Sequence, residues 1–121
     1  MPNPYADGSI VMYGKTSDTT AYLQFQPNSL PGNRWLHRRD EFDPTLSESD
    51  IRDEYALPPE TDITVRVVEV PSEVDIRIGT LGSAGPQSGG ADLVELRNYE
   101  RVPAEWIKNS HSLDTFRSAS R

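Results

Sequence analysis

The chain has 121 residues, of which 35% are hydrophobic, with 10 prolines, 8 glycines and no cysteine. This length predicts one domain with one modest core, and the lack of cysteine excludes disulfides, zinc–thiolate sites and thiol nucleophiles. A formal charge of −7 disfavours nucleic acid as a partner, since binding of its phosphates needs clustered lysine and arginine. No apolar run is long enough for a membrane helix.

The first third of the chain predicts two strands after an irregular segment. Residues 1–8 contain two prolines and an Asp-Gly pair, which are typical of an irregular lead-in. Residues 9–13 and 20–25 have the apolar patterns of strands, and we expect them to pair as a hairpin. The basic cluster at residues 34–39 follows a segment dense in turn-forming residues and is predicted to lie in a loop.

The middle of the chain predicts a short helix. Ser47 is a suitable N-cap with Asp50 three residues later, and Ile51 and Tyr55 fall on one helical face. A helix at about 48–55 follows, which ends before Pro58.

Strands dominate the next segment. Residues 64–70 and 74–79 are rich in valine and isoleucine, and residues 92–96 resume a strand. In the second of these, Arg77 alternates with apolar residues and so lies on a face that is either wet or lines a site. A mobile loop is expected at residues 81–90, which hold four glycines, and a helix at residues 104–108.

Together these elements predict an α+β fold: a small single domain with a twisted antiparallel sheet and two short helices. Residues 9–110 are expected to form the domain. Residues 111–121 are rich in Ser, Thr and Arg and are predicted to be a flexible tail.

Several chemistries lack the motifs they require. No spacing of histidines and carboxylates typical of zinc or calcium sites is present, so no metal is predicted. A Walker-type phosphate loop, a dinucleotide fingerprint and a serine-hydrolase elbow are also missing. The two histidines, His37 and His111, remain a candidate acid–base couple for RNA cleavage.

Three other groups of residues have chemical potential. Arg34 and Arg38 offer donors that match phosphate, with Trp35 between them for stacking, or they form local salt bridges. Glu95 follows the glycine-rich loop, where a carboxylate can stabilise positive charge on a sugar carbon, or it is a strand-edge residue facing water. Gln87 is suited to hydrogen-bond an amide such as nicotinamide, or it caps the loop.

The order of these motifs resembles a known family. Gly32 and Trp35 precede Ala56-Leu57-Pro58-Pro59, two valine- and isoleucine-rich strands, and Gln87 with Gly89-Gly90. This order is similar to that of the C-terminal toxin domains of bacterial polymorphic toxins, especially the tuberculosis necrotising toxin family of NAD glycohydrolases.

The resemblance implies a toxin domain that consumes NAD(P) as a substrate, without a cofactor, by hydrolysing the nicotinamide–ribose bond. It implies that Glu95 and Gln87 serve the reacting end, that Arg34 and Arg38 hold the diphosphate, and that Trp35 or Tyr55 stacks. Arg77 is a further candidate for substrate binding. A specific immunity protein is the implied partner, and delivery as part of a larger protein into a target-cell cytoplasm is the implied location.

Alternatives stay open. An ADP-ribosyltransferase-like toxin, whose fold these NAD glycohydrolases resemble, would use the same ligand, with Glu95 or Glu100 as its glutamate. Tyr55 stands where the family has arginine and Leu93 where it has glutamine, which favours a non-catalytic binding module of the same fold. A ribonuclease toxin is the third alternative.

Overall fold

A computed structural model describes residues 5–17, 20–27, 34–83 and 87–120. The described residues form one antiparallel sheet of seven strands in the order β1-β5-β6-β3-β2-β4-β7. The strands are β1 (Met12–Lys15), β2 (Thr20–Pro27), β3 (Trp35–Arg38), β4 (Ile63–Val70), β5 (Asp75–Thr80), β6 (Asp92–Leu96) and β7 (Ile107–Ser112). Two helices complete the fold, α1 (Glu48–Glu54) and α2 (Leu113–Ser120). The predicted α+β single domain is confirmed.

The sheet is covered on both faces. Along β4, Ile63, Val65 and Val67 point into the core beneath the two helices, whereas Val68 and Val70 point into a second core on the other side. This alternation follows from the two-residue repeat of a strand. The second core is closed by the segment after β6, through Val102, Tyr99 and Trp106.

Helix α1 begins where the sequence predicts. The hydroxyl oxygen of Ser47 accepts a hydrogen bond from the backbone N–H of Asp50 at 3.1 Å, which satisfies one of the free amide groups of the first turn. Ile51 and Tyr55 share the face that packs on the sheet, and both are buried.

The predicted hairpin of the first two strands is wrong. β1 pairs with β5, and β2 pairs with β3 and β4. Thr16 explains the difference, because its hydroxyl donates to the carbonyl of Pro71 at 2.6 Å and accepts from the N–H of Val74 at 3.0 Å. These bonds hold the end of β1 against the β4–β5 turn, and so β1 extends alongside β5.

Two other local predictions are corrected. Most of the basic cluster lies in strand β3 and in the 3-10 turn Arg39–Glu41 that follows it. The reason is that Leu36 packs in the second core, whereas His37 packs against Phe25 on the opposite face of the sheet. The helix predicted at residues 104–108 is a 3-10 turn at Ala104–Trp106 that leads directly into β7.

Up to residue 120, the C-terminal segment forms a strand and a helix and not the predicted tail. His111 and Ser112 complete β7, and α2 follows at once. Leu113 and Phe116 are spaced three residues apart, lie on one side of this helix and are buried in the first core. Only two apolar side chains of α2 are buried, and the other residues of the helix are mostly polar. This is why its composition resembles that of a flexible tail.

The predicted glycine-rich loop is partly packed. Residues 84–86 lie outside the described part of the chain. At the C-terminal end of the loop, the N–H groups of Gly89 and Ala91 donate hydrogen bonds to the carbonyls of Asp53 and Glu54 at the end of α1. Gly89 has φ +76°, and a side chain there would meet the carbonyl oxygen of Gly82 at 2.3 Å. Here glycine permits two backbone segments to approach each other.

Candidate functional site

A row of polar and aromatic side chains crosses four strands on the face of the sheet that carries the helices. The strand register places Trp35 opposite Glu95, Glu95 opposite Arg77, and Arg77 opposite Tyr13. Residues directly opposite each other on neighbouring strands have their Cβ atoms about 5 Å apart. The row therefore forms one continuous surface from β3 to β1.

Glu95 lies at the centre of this row between two guanidinium groups. Nη2 of Arg34 is 2.9 Å from its Oε2, and Nη2 of Arg77 is 2.5 Å from its Oε1, to which Nε of Arg77 also donates at 2.7 Å. Glu95 is 5% exposed, whereas the arginine side chains are 37% and 30% exposed. Each carboxylate oxygen thus has an arginine partner, and both arginines still reach the surface.

The strand order excludes an edge position for Glu95. β6 lies between β5 and β3 inside the sheet, so Glu95 cannot be the water-facing edge residue of the alternative interpretation. A carboxylate in this position requires paired positive charge, because desolvation of an unpaired one is costly.

Tyr5 covers the Glu95 carboxylate. Its hydroxyl has two acceptors within hydrogen-bond distance, the carbonyl oxygen of Arg77 at 3.4 Å and Oε1 of Glu95 at 3.5 Å, and its ring lies edge-on to that of Trp35, with centroids 6.0 Å apart. The guanidinium carbon of Arg77 is 5.0 Å from the Tyr5 ring centroid. Burial raises the pKa of the Tyr5 hydroxyl, which therefore stays protonated and able to donate at neutral pH.

Aromatic rings also hold the two arginines. The guanidinium carbon of Arg34 is 5.4 Å from the Trp35 ring centroid. Hydrogen bonding with Tyr13, and then with Tyr5 and Glu95, raises the pKa of Arg77 further above its ordinary value. We call Tyr5, Arg34, Trp35, Arg77 and Glu95 the arginine–glutamate cluster.

Four of the predicted site residues therefore meet, namely Arg34, Trp35, Arg77 and Glu95. Arg38 does not join them. Its backbone N–H donates to Oδ2 of Asp92 at 2.6 Å, and its Nη2 is 3.4 Å from Oε1 of Glu41. This is the local salt bridging that the sequence left open for Arg38, and it removes Arg38 from the predicted diphosphate site.

Tyr55 and Gln87 also have other contacts. Tyr55 is 4% exposed and packs against Phe25 and His37, with ring centroids 4.7 Å away in both cases, so it cannot stack on a ligand. The side-chain amide of Gln87 donates to the carbonyl of Leu57 at 2.8 Å and is buried. Gln87 thus secures the glycine-rich loop to the segment after α1, which matches the structural alternative for this residue.

The two histidines are far apart in the sheet. His37 on β3 is buried, and burial lowers its pKa to about 4, while Nδ1 lies 2.5 Å from the carbonyl oxygen of Asp92. His111 is exposed on β7, with β2 and β4 between the two strands. Three strand spacings amount to about 14 Å, so they do not form an acid–base couple.

Within the described ranges, no group of three or more histidines and carboxylates could hold a metal ion. No helix among the described residues is long and apolar enough to cross a membrane. Comparison with protein-family models, with curated proteins and with solved structures found no match.

The sequence did not reveal Tyr5 as a member of the site. It lies in a proline-rich segment without strand periodicity, and its position depends on a single bridge to Leu81 and on the space above Gly79. The one available signal was a large aromatic residue in a segment otherwise composed of turn formers.

Proposed function

We propose that the protein binds NAD(P) at the arginine–glutamate cluster and hydrolyses its nicotinamide–ribose bond. The observation that supports this is the carboxylate of Glu95 held between Arg34 and Arg77 and beside aromatic rings. A dinucleotide contains the matching groups, namely a diphosphate, planar bases and a sugar carbon that becomes positive during cleavage.

The charge of the cluster favours an anionic ligand. Two guanidinium groups face one carboxylate, which leaves an excess of positive charge in a protein of formal charge −7. Arginine presents a fixed fork of donors that matches the oxygens of a phosphate. The exposed portions of Arg34 and Arg77 give a diphosphate access to both.

Binding of a diphosphate would also change the state of Glu95. Phosphate oxygens compete for the guanidinium donors that now bond Glu95, so its carboxylate becomes available to the nicotinamide ribose. In the reaction, the bond between C1′ and the nicotinamide nitrogen breaks, and its electron pair neutralises the pyridinium as nicotinamide leaves. Glu95 stabilises the oxocarbenium-like charge on the sugar. Water then bonds to C1′ and releases its proton to solvent.

The wider setting follows from the resemblance. We propose a toxin domain that acts on NAD(P) in a target cell and is covered by a specific immunity protein. Transfer of ADP-ribose to a protein side chain would use the same cluster, with the acceptor in place of water.

Incubation of the purified protein with NAD, followed by chromatography of nicotinamide, tests the reaction. We expect release by the wild type and a loss of at least about 100-fold in Glu95→Gln, the scale found for removal of a group that stabilises transition-state charge. Glu69→Gln is the matched control, because Glu69 is exposed on β4. No release by the wild type would contradict hydrolysis, and equal rates in the two variants would contradict the role of Glu95 in it.

A non-catalytic NAD(P)-binding module is the second candidate. The burial of Glu95 and the engagement of both its oxygens favour it, because such a pair also stabilises a fold without any reaction. This candidate predicts that NAD binds and that Arg34→Gln weakens binding, while no nicotinamide is released.

A further inference from the structure

The edge strand β1 carries an unusual surface. Among the described residues, the exposed large hydrophobic side chains are Ile10, Met12 and Tyr13, at 83%, 66% and 62% exposure. All three lie in β1 or within the two residues before it, and among the described residues β1 pairs with β5 alone. A strand at the end of a sheet presents unpaired N–H and C=O groups along its free side.

The opposite edge of the same sheet is different. β7 presents Lys108, Asn109, Ser110 and His111, all exposed and polar. Charged and polar residues are a common protection of an edge against pairing with another chain. The contrast indicates that β1 is an edge suited to pairing, whereas β7 is protected from it.

The two faces of β1 differ in chemistry. Met12 pairs with Ile78 and continues the second hydrophobic core to the edge of the sheet. On the other face Tyr13 pairs with Arg77, and the guanidinium carbon of Arg97 is 4.6 Å from the Tyr13 ring centroid. Arg97 is exposed, and the described residues provide no carboxylate in a salt bridge with it.

We propose that β1 is a docking edge for an extended segment of a partner protein in which acidic and apolar side chains alternate. Such a segment would add an eighth strand to the sheet. Its apolar side chains would cover Ile10 and Met12, and its carboxylates would face Tyr13 and Arg97, whereas Lys15 already lies 3.6 Å from Oδ1 of Asp75. Main-chain hydrogen bonds supply affinity in this mode, and alternate side chains supply specificity.

Charge argues against a second copy of the chain on this edge. Pairing β1 with itself would place two copies of Arg97, each without a carboxylate partner among the described residues, on one face of the joined sheet. An acidic partner segment is attracted locally, because charges beyond about 8–10 Å are largely screened at physiological salt.

A pair of labelled peptides tests the proposal by fluorescence anisotropy. One peptide alternates glutamate with valine, and the other alternates lysine with valine. We expect the wild type to bind the glutamate peptide and not the lysine peptide, and Arg97→Glu to weaken the glutamate peptide by about tenfold. Lys108→Glu is the matched charge reversal on β7 and should leave the affinity unchanged.

Hydrogen exchange of the unmodified protein provides a second measurement that requires no variant. The glutamate peptide should slow exchange of those backbone amides of residues 12–15 that point to the free side of β1, and it should leave those of β7 unchanged. Equal binding of both peptides, equal effects of the two charge reversals, or protection outside β1 would each overturn the proposal. A wild-type dimer that protects residues 12–15 without peptide would also overturn it in favour of a second copy.

Discussion

Gly79 on β5 lies directly beneath the ring of Tyr5. A Cβ atom built on Gly79 would be 2.5 Å from Cδ1 and 2.7 Å from Cε1 of that ring. Tyr5 in turn covers the Glu95 carboxylate. Hence the absence of a side chain at position 79 is what permits Tyr5 to close the arginine–glutamate cluster.

The substitution Gly79→Ala should therefore displace Tyr5. We expect a loss of about 1–3 kcal/mol in the free energy of unfolding, the usual cost of overpacking, measured by urea denaturation. Gly14→Ala on β1 is the matched control, because nothing lies within 4 Å of a Cβ there. Equal losses in the two variants would show that Tyr5 does not occupy this space.

Acid should destabilise the protein through His37. Burial lowers its pKa in the folded state to about 4 from an ordinary value of 6.5, so the unfolded chain binds the proton more tightly. Stability is therefore greatest above pH 6.5 and falls as pH decreases from there towards 4. The loss from this one group approaches about 3 kcal/mol at the lower limit, by linkage.

His37→Asn separates this contribution from those of the carboxylates. Asparagine retains a donor near the position of Nδ1 for the carbonyl of Asp92, but it does not titrate. Urea denaturation of this variant from pH 7 to pH 4 should show a shallower decline than in the wild type. An unchanged slope would mean that His37 is accessible to protons in the folded protein.

The sequence predicted those elements whose pattern is local. The valine-rich strand β4, the isoleucine-containing strand β5, strand β6 and helix α1 with its Ser47 cap all follow from alternation or capping within a few residues. The sequence-based prediction of strand pairing was wrong where a contact between distant residues determines it. An example is Thr16, whose hydrogen bonds to the β4–β5 turn separate β1 from β2.

The same distinction applies to the site. Arg77 and Glu95 could be placed on one face of their own strands, but their meeting depends on the pairing of β5 with β6. Motif order suggested Tyr55 and Gln87 as site residues. In the structure both stabilise the fold instead, because Tyr55 packs on the buried face of α1 and Gln87 holds the glycine-rich loop.

The C-terminal helix α2 should contribute substantially to stability. Phe116 is 4% exposed and lies 5.3 Å from Phe42, centroid to centroid. Phe116→Ala should lower the free energy of unfolding by about 3–5 kcal/mol, as is usual for a buried phenylalanine. Ser118→Ala, at an exposed position of the same helix, should change it by less than about 0.5 kcal/mol. A small loss in both variants would indicate that α2 is detached in solution.

A crystal structure of Glu95→Gln with NAD would show whether the dinucleotide binds at the arginine–glutamate cluster, because this variant preserves the shape of the cluster and slows cleavage. We expect the diphosphate to bind Arg34 and Arg77 and the nicotinamide ribose to lie beside residue 95. NAD bound elsewhere, or a cluster without ligand at saturating NAD, would contradict this expectation.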